Sequence, residues 1–332
     1  MRMTASCLGV VALVGVGPWL PAPWTTAIAA QPTPEPRGLS VVWTVNLGEA
    51  VPSGFSQFAV CADGSVVSYE RPGRLFKLSA AGQPVAARGD ASYDDVLSID
   101  CGEDSVVRAY QFTPGRRMRL LEFAQADLRL IRSLDLEPGG SSPGAVKYLD
   151  GAPRVVLADP EGGFLARLDG AAIVERFGER LSPPGGVLRL EVVPAFTPLF
   201  FRADRQRLVY LQTADYAILE FDREGTRRGV WRRRDAEQGV TLRLVHAGAV
   251  PTNAEVVGAA MLPDDRLAVH LNASGHGGSA SYLELLDSRY DVAARLPVPR
   301  KGMLFGADAD AALYFSHVSS EGVVVWKGAM VR

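Results

Sequence analysis

Residues 217–231, AILEFDREGTRRGVW, decide the reading of this chain: an apolar strand closing on Phe221, an Asp-x-x-Gly turn through Asp222 and Gly225, and a second strand ending at Trp231. Glycine admits positive φ at no steric cost and aspartate bonds its own backbone, so the stretch reads as a β-hairpin. The pattern recurs in RLFKLSAAGQPVAA (74–87), RLLEFAQADLRLIRSL (119–134), FLARLDGAAIVERF (164–177) and YLELLDSRYDVAARL (282–296). Aligned on the apolar residue before the turn (Leu78, Phe123, Leu168, Phe221, Leu286), the copies are spaced by 45, 45, 53 and 65 residues. That is the period of a four-stranded unit, with the later excess left for insertions.

Each hairpin follows two strands of its own. They are read in FAVCADGSVVSY, LSIDCGEDSVVRAY, AVKYLDGAPRVVLAD, LFFRADRQRLVYLQ and GAAMLPDDRLAVHLN, whose turns again carry Asp and Gly. A sixth unit, GMLFGADADAALYFSHVSSEGVVVW, supplies three strands, and LSVVWTVNL (39–47) is left to provide its outermost one. The alternative is that WKGAMVR (326–332) turns back as a short strand, which makes 39–47 an additional strand or a partial seventh unit.

The repeats, the hydrophobic-Asp-x-x-Gly turns of LEFDREG and RLDG, and the shared terminal unit resemble the six-bladed β-propellers of the NHL and TolB-like groups. The resemblance covers residues 39–332 and implies an all-β, six-bladed β-propeller with N- and C-terminal strands closing one blade. Closure meets a physical need, because an open sheet leaves unpaired edges. No blade has the Gly-His…Trp-Asp signature of WD40 repeats.

Ahead of the propeller, residues 1–30 read as a signal peptide. Arg2 gives a positive start, Cys7 to Val16 form a short apolar run, and Ala27-Ile28-Ala29 offers a small-x-small cleavage site. Pro18, Pro21 and Pro23 break any longer anchor helix, and no later run is long and apolar enough to span a bilayer. Residues 31–38, containing QPTPEPR, form a Pro-rich spacer. The expected location is periplasmic or secreted, in a bacterium, since arginine greatly outnumbers the lysines at 77, 147, 301 and 327. With 22% charged residues and a net charge of −2, no footprint for nucleic acid exists, and 47% hydrophobic residues suffice for a large core.

Blade strands run a to d outward from the axis, so a–b and c–d turns emerge on one face while b–c and d–a connections emerge on the other. The second face carries the long segments 178–197, 233–255 and 272–280, and long loops are where function concentrates. Candidate ligand-binding residues on it are Asp94 and Asp95 at the entry to blade 2, Arg116 and Arg117 in its b–c loop, and His246, Glu255, His276 and His317 in loops of blades 5 and 6. His270 is placed near the same end of its strand. Imidazoles beside a carboxylate suit zinc or general-base chemistry, but no HxH or HExxH spacing joins them, and solvated loop histidines are the plainer account. The expectation is a scaffold for a protein, peptide or glycan, with no metal and no cofactor. The alternative is a metal-dependent hydrolase resembling the calcium-dependent lactonases, which implies calcium or zinc among Asp95, Glu191, Asn253 and Glu255 at the central channel. No GxSxG, Walker or dinucleotide motif and no CxxC pair adds another chemistry.

Loss of the signal peptide removes Cys7 and leaves Cys61 and Cys101, at matching places in CADGSVV and CGEDSVV. They are either a disulfide joining blades 1 and 2 or two buried thiols, because adjacent inner strands lie near the roughly 7 Å Cα limit for a bridge.

Overall fold

The computed structural model describes residues 36–47, 56–70, 73–93, 96–102, 104–113, 117–136, 143–149, 152–157, 165–170, 172–178, 199–202, 206–213, 216–232, 254–275, 278–319 and 322–331. Their regular elements are strands, apart from one 3-10 turn at Ala91–Tyr93. Among them no helix is long and apolar enough to cross a membrane.

The strands form six four-stranded antiparallel sheets. Sheet 1 holds β2 (Ser56–Val60), β3 (Val66–Glu70), β4 (Arg74–Leu78) and β5 (Pro84–Gly89), and sheet 2 holds β6 (Val96–Cys101), β7 (Val106–Thr113), β8 (Arg117–Ala124) and β9 (Leu130–Leu136). Sheet 3 holds β10 (Pro143–Leu149), β11 (Ala152–Leu157), β12 (Leu165–Asp169) and β13 (Ala172–Phe177). Sheet 4 holds β14 (Leu199–Phe201), β15 (Arg207–Gln212), β16 (Ala217–Asp222) and β17 (Arg227–Arg232). Sheet 5 holds β18 (Ala254–Met261), β19 (Leu267–Gly275), β20 (Gly278–Leu286) and β21 (Val292–Pro297).

These five are meanders of consecutive strands. The sixth is composite: β22 (Met303–Ala307), β23 (Leu313–Ser319) and β24 (Gly322–Val331) are completed by β1 (Gly38–Asn46), which pairs with β24 from Gly38 opposite Val331 to Asn46 opposite Val324. Residues 326–331 do not turn back; they continue β24, and β1 lies outside it. The innermost strands β2, β6, β10, β14, β18 and β22 neighbour one another in that order, and β22 returns to β2. The fold is a β-propeller.

Both faces of a sheet in this arrangement meet another sheet, and the core is accordingly divided into six apolar clusters, one in each gap between successive sheets. Inner strands therefore lose the alternation of a half-exposed sheet: VVSYE of β3 is buried throughout. The outermost strands keep it or are exposed, as in PVAARG of β5.

The five residues that align the repeats have a structural meaning. Each meandering sheet shifts register between strands c and d at that residue: at Leu78, Phe123, Leu168, Phe221 and Leu286. A bulge adds twist, and the turn that follows needs one residue in the left-handed region. Gly82, Gly170 and Gly225 fill that station in three sheets, with φ of 77°, 57° and 81°. Sheets 2 and 5 place Leu128 and Tyr290 there, at 59° and 66°, and both side chains are buried. Tyr290 gives a reason for its strained backbone, since its hydroxyl donates to Glu220 Oε1 of the neighbouring sheet at 2.6 Å.

The face carrying the a–b and c–d turns is stitched across its gaps. From sheet 1 to sheet 2, Lys77 Nζ donates to the Gln125 carbonyl at 2.9 Å, and Cys61 and Cys101 are bridged with their Cα atoms 5.0 Å apart. From sheet 2 to sheet 3, Asp100 accepts from Lys147 Nζ at 2.6 Å and the Tyr148 N–H at 2.7 Å. Between sheets 4 and 5, Arg202 donates to the Ser288 carbonyl at 2.7 Å. From sheet 6 to sheet 1, the Tyr314 hydroxyl lies 3.0 Å from the Gly64 carbonyl, and Trp43 Nε1 donates to the Ala80 carbonyl at 3.0 Å.

Candidate functional site

The opposite face is where the long connections leave the sheets. They span residues 178–198 between β13 and β14 and 233–253 between β17 and β18. Asp94, Asp95, Arg116, His246 and His276 lie outside the described residues, as do Glu191 and Asn253. Arg117 is not in a loop but opens β8, and Glu255 is the second residue of β18; both stand at strand ends on this face. His317 also belongs to a strand, β23, where it is half-buried opposite Val324. The expected loop position for it is corrected by the hydrogen bonding of β23 and β24, which continues to Ser319 opposite Gly322.

His270 differs most from expectation. It sits well inside β19, fully buried, with its ring edge-on to Phe315 of sheet 6 at a centroid distance of 5.8 Å. Nδ1 accepts the Leu304 N–H at 3.3 Å, which leaves the ring proton on Nε2, 2.6 Å from Ser281 Oγ. A serine at hydrogen-bond distance from a histidine is the geometry of an activated nucleophile, but here the imidazole donates to the hydroxyl and has no lone pair to take its proton. The pair is structural, and burial pulls the imidazole down from 6.5 to about 4.

That shift sets a pH dependence. Between about pH 4 and 6.5 the unfolded chain binds a proton at His270 that the folded chain does not, so stability is complete above that window and lost as pH falls through it. The loss from this group between pH 7 and pH 4 is expected to be about 3 kcal/mol. Urea unfolding at pH 7, 5.5 and 4 checks it: His270→Gln is weaker at pH 7 but shows a shallower loss than wild type over the same interval.

A polar series on strand b was missed by sequence reasoning. Count five residues on from the carbonyl that closes each a–b turn, which belongs to Ser65, Val106, Arg207 and Ala312 in sheets 1, 2, 4 and 6. The residues reached are Glu70, Gln111, Gln212 and His317, while sheet 5 has Leu271. They alternate in phase with Val66, Val107, Leu208 and Leu313, which pack against the preceding sheet, so each turns toward the gap before its own sheet. Glu70, Gln111 and Gln212 are 5%, 3% and 3% exposed. Burial holds the Glu70 carboxyl above its ordinary 4.5, against the opposing pull of Arg74. Polar residues ending apolar strands, as in VVSYE and RLVYLQ, were the available signal. These side chains surround the elaborated end of the sheets. Among the described residues, no three of His, Cys, Asp and Glu come together in a way that could hold a metal ion.

No family model and no curated protein matches the chain. It is similar in structure to the WD40 repeats of RRP9, with a TM-score of 0.53 at 11% identity over 89% of this chain and 99% of that one. Similar solved structures also include BamB from Moraxella catarrhalis (TM-score 0.46, 14% identity, 87% and 97% covered) and a streptogramin B lyase (TM-score 0.47, 10% identity, 86% and 98% covered). At these identities the likeness extends to the fold alone, and the fold shared with the RRP9 repeats is the β-propeller.

Proposed function

We propose that this chain is an exported six-bladed β-propeller whose working face, where the b–c and d–a connections emerge, binds a protein, peptide or glycan. The observation that carries the reading is the asymmetry between the two faces. On one, short turns are closed by backbone bonds such as Cys61 N–H to the Ser65 carbonyl and Asp222 N–H to the Thr226 carbonyl, and the gaps behind them are stitched as described. On the other, two connections of some twenty residues each interrupt a meander whose other connections are far shorter, and a rigid scaffold presenting long loops is how binding surfaces are commonly built. The signal-like segment 1–30 and the cysteine pair at 61 and 101 support an oxidising destination, periplasmic or secreted.

The connection at 233–253 provides the test. Replacing residues 236–250 by a short Gly-Ser linker is expected to leave cooperative thermal unfolding within a few degrees of wild type, because loop length alters closure entropy only logarithmically. A partner retained by immobilised wild-type protein is expected to be lost from the variant. A variant that fails to fold makes the segment structural and overturns the assignment of this face.

A further inference from the structure

The gap between sheets 1 and 2 differs from one end to the other. Its turn-face end is closed by the Cys61–Cys101 bridge. At the elaborated end, Gln57 of β2 lies opposite Tyr69 of β3, and Gln111 of β7 lies opposite Val96 of β6. Gln57 alternates in phase with Ala59 and Cys61, and Gln111 with Val107 and Ala109, all of which pack in this gap, so the two amides point into it from opposite walls. Tyr69 is fully buried in the same cluster. Gln111 Nε2 donates to the Ser92 carbonyl at 2.6 Å, tying the amide to the connection that enters sheet 2.

Gln57 is the anomaly. It is 5% exposed, yet its Nε2 has no hydrogen-bond acceptor. A buried amide left in that state costs roughly 1–3 kcal/mol, and an apolar residue of similar shape would be the more stable choice if nothing ever bonded to it. At the elaborated end of the gap the polar side chains named above, the two amides and the Tyr69 phenol, are uncharged; the buried cation of the gap, Lys77, is held at the opposite end by the Gln125 carbonyl. That set suits a ligand oxygen that is itself uncharged: with the lysine engaged at the far end, this end of the gap is a poor receiver for phosphate or carboxylate, whereas a hydroxyl accepts from an amide N–H and keeps a proton to donate.

We infer that the elaborated end of the gap between sheets 1 and 2 is a binding subsite for a neutral saccharide, with the Gln57 side-chain amide donating to one of its hydroxyls. The inference rests on the binding role given above to this face and names the ligand class and the place. The bridge at the far end fixes the separation of the two walls there.

The experiment measures binding of glucose, galactose, N-acetylglucosamine and their β-1,4-linked disaccharides to wild type, Gln57→Met and Gln57→Leu by calorimetry and by thermal shift. At least one sugar is expected to bind wild type, with affinity at least tenfold weaker in both variants, while their melting temperatures without sugar equal or exceed that of wild type. Three results overturn the inference: no sugar binds wild type; sugar binds both variants undiminished; or both variants melt several degrees lower, which makes the amide a structural donor satisfied by water alone. The second leaves the binding role of the face intact and moves the sugar elsewhere on it. The Gly-Ser replacement of residues 236–250 tests that role separately, by loss of a retained partner.

Discussion

Glu122→Ala is expected to destabilise the fold by about 3–5 kcal/mol, the cost of leaving a buried charge without its partner. Glu122 is 5% exposed on β8 and accepts from Arg108 Nε at 3.1 Å and from Arg132 Nε and a terminal Arg132 nitrogen at 2.5 and 3.1 Å. Arg108 is 3% exposed, stacks over the Tyr148 ring of sheet 3 at 3.4 Å and keeps Asp104 as its second carboxylate. The two arginines hold the Glu122 carboxyl below its ordinary value although burial alone would raise it. Removing the carboxylate strands the Arg108 guanidinium between sheets 2 and 3 with one half-exposed aspartate. Pairing Glu122→Leu with Arg108→Met is expected to recover most of the loss, because a matched apolar pair leaves no buried charge unpaired and Asp104 and Arg132, both partly exposed, keep their water. Urea midpoints of the singles and the double decide it, and a double no better than the sum of the singles removes the coupling claimed here.

Loss of the bridge between Cys61 and Cys101 is expected to cost about 4 kcal/mol in the chain-entropy account, for a closed loop with a sequence separation of 40. Cys61→Ser with Cys101→Ser is therefore expected to lower the urea midpoint substantially, with a slope no shallower than that of wild type because the unbridged denatured chain exposes more surface. Thiol titration of denatured, unreduced protein lacking residues 1–30, and so lacking Cys7, checks the bond directly: no reactive thiol is expected, and two per chain would refute it. Sequence left the pairing open because adjacent inner strands stand near the limit for bridging. The Cα separation of 5.0 Å places these two residues inside it, at a point where β2 and β6 approach each other beside the axis.

What the sequence revealed and concealed follows from how a propeller buries its sheets. The hairpins at 74–87, 119–134, 164–177, 217–231 and 282–296 were legible because Asp and Gly turns between apolar strands are local signals. Their alignment residues coincide with the c–d bulges because each turn demands the same local shift. Side-chain burial was not legible. Arg108, Glu122 and Glu220 sit in strands where alternation suggests an exposed face, and Arg202 follows directly on β14, but the second face of each sheet meets another sheet, and these charges lie in the gaps. His270 was misplaced for the same reason: LAVHLN reads as a strand approaching a loop, whereas β19 runs on to Gly275 and covers the ring. The candidate residues on the elaborated face were chosen by loop length, which gives the face of a residue but not its neighbours. Gln57 and Gln111 carry no motif; only the strand order that makes them face each other singles them out.

Sheet 6 unites the first and the last of the described strands, with Gly38 opposite Val331. Sheets 1 to 5 can each form as soon as their own strands have emerged, whether from a ribosome or through a translocation pore. β1 is the first of the described strands to emerge and waits longest, for β24, its ladder partner among them, is the last of them to appear. During that interval the nascent protein holds an unmatched strand at its start and an unmatched inner edge at its growing end. Both are templates for pairing with another molecule. Completion of the ring is thus a late event of high contact order, and it governs folding speed more than final stability. A chaperone that shelters the nascent chain would have most to protect at residues 38–46, and a chain halted before Gly322 yields an open crescent in place of a smaller ring.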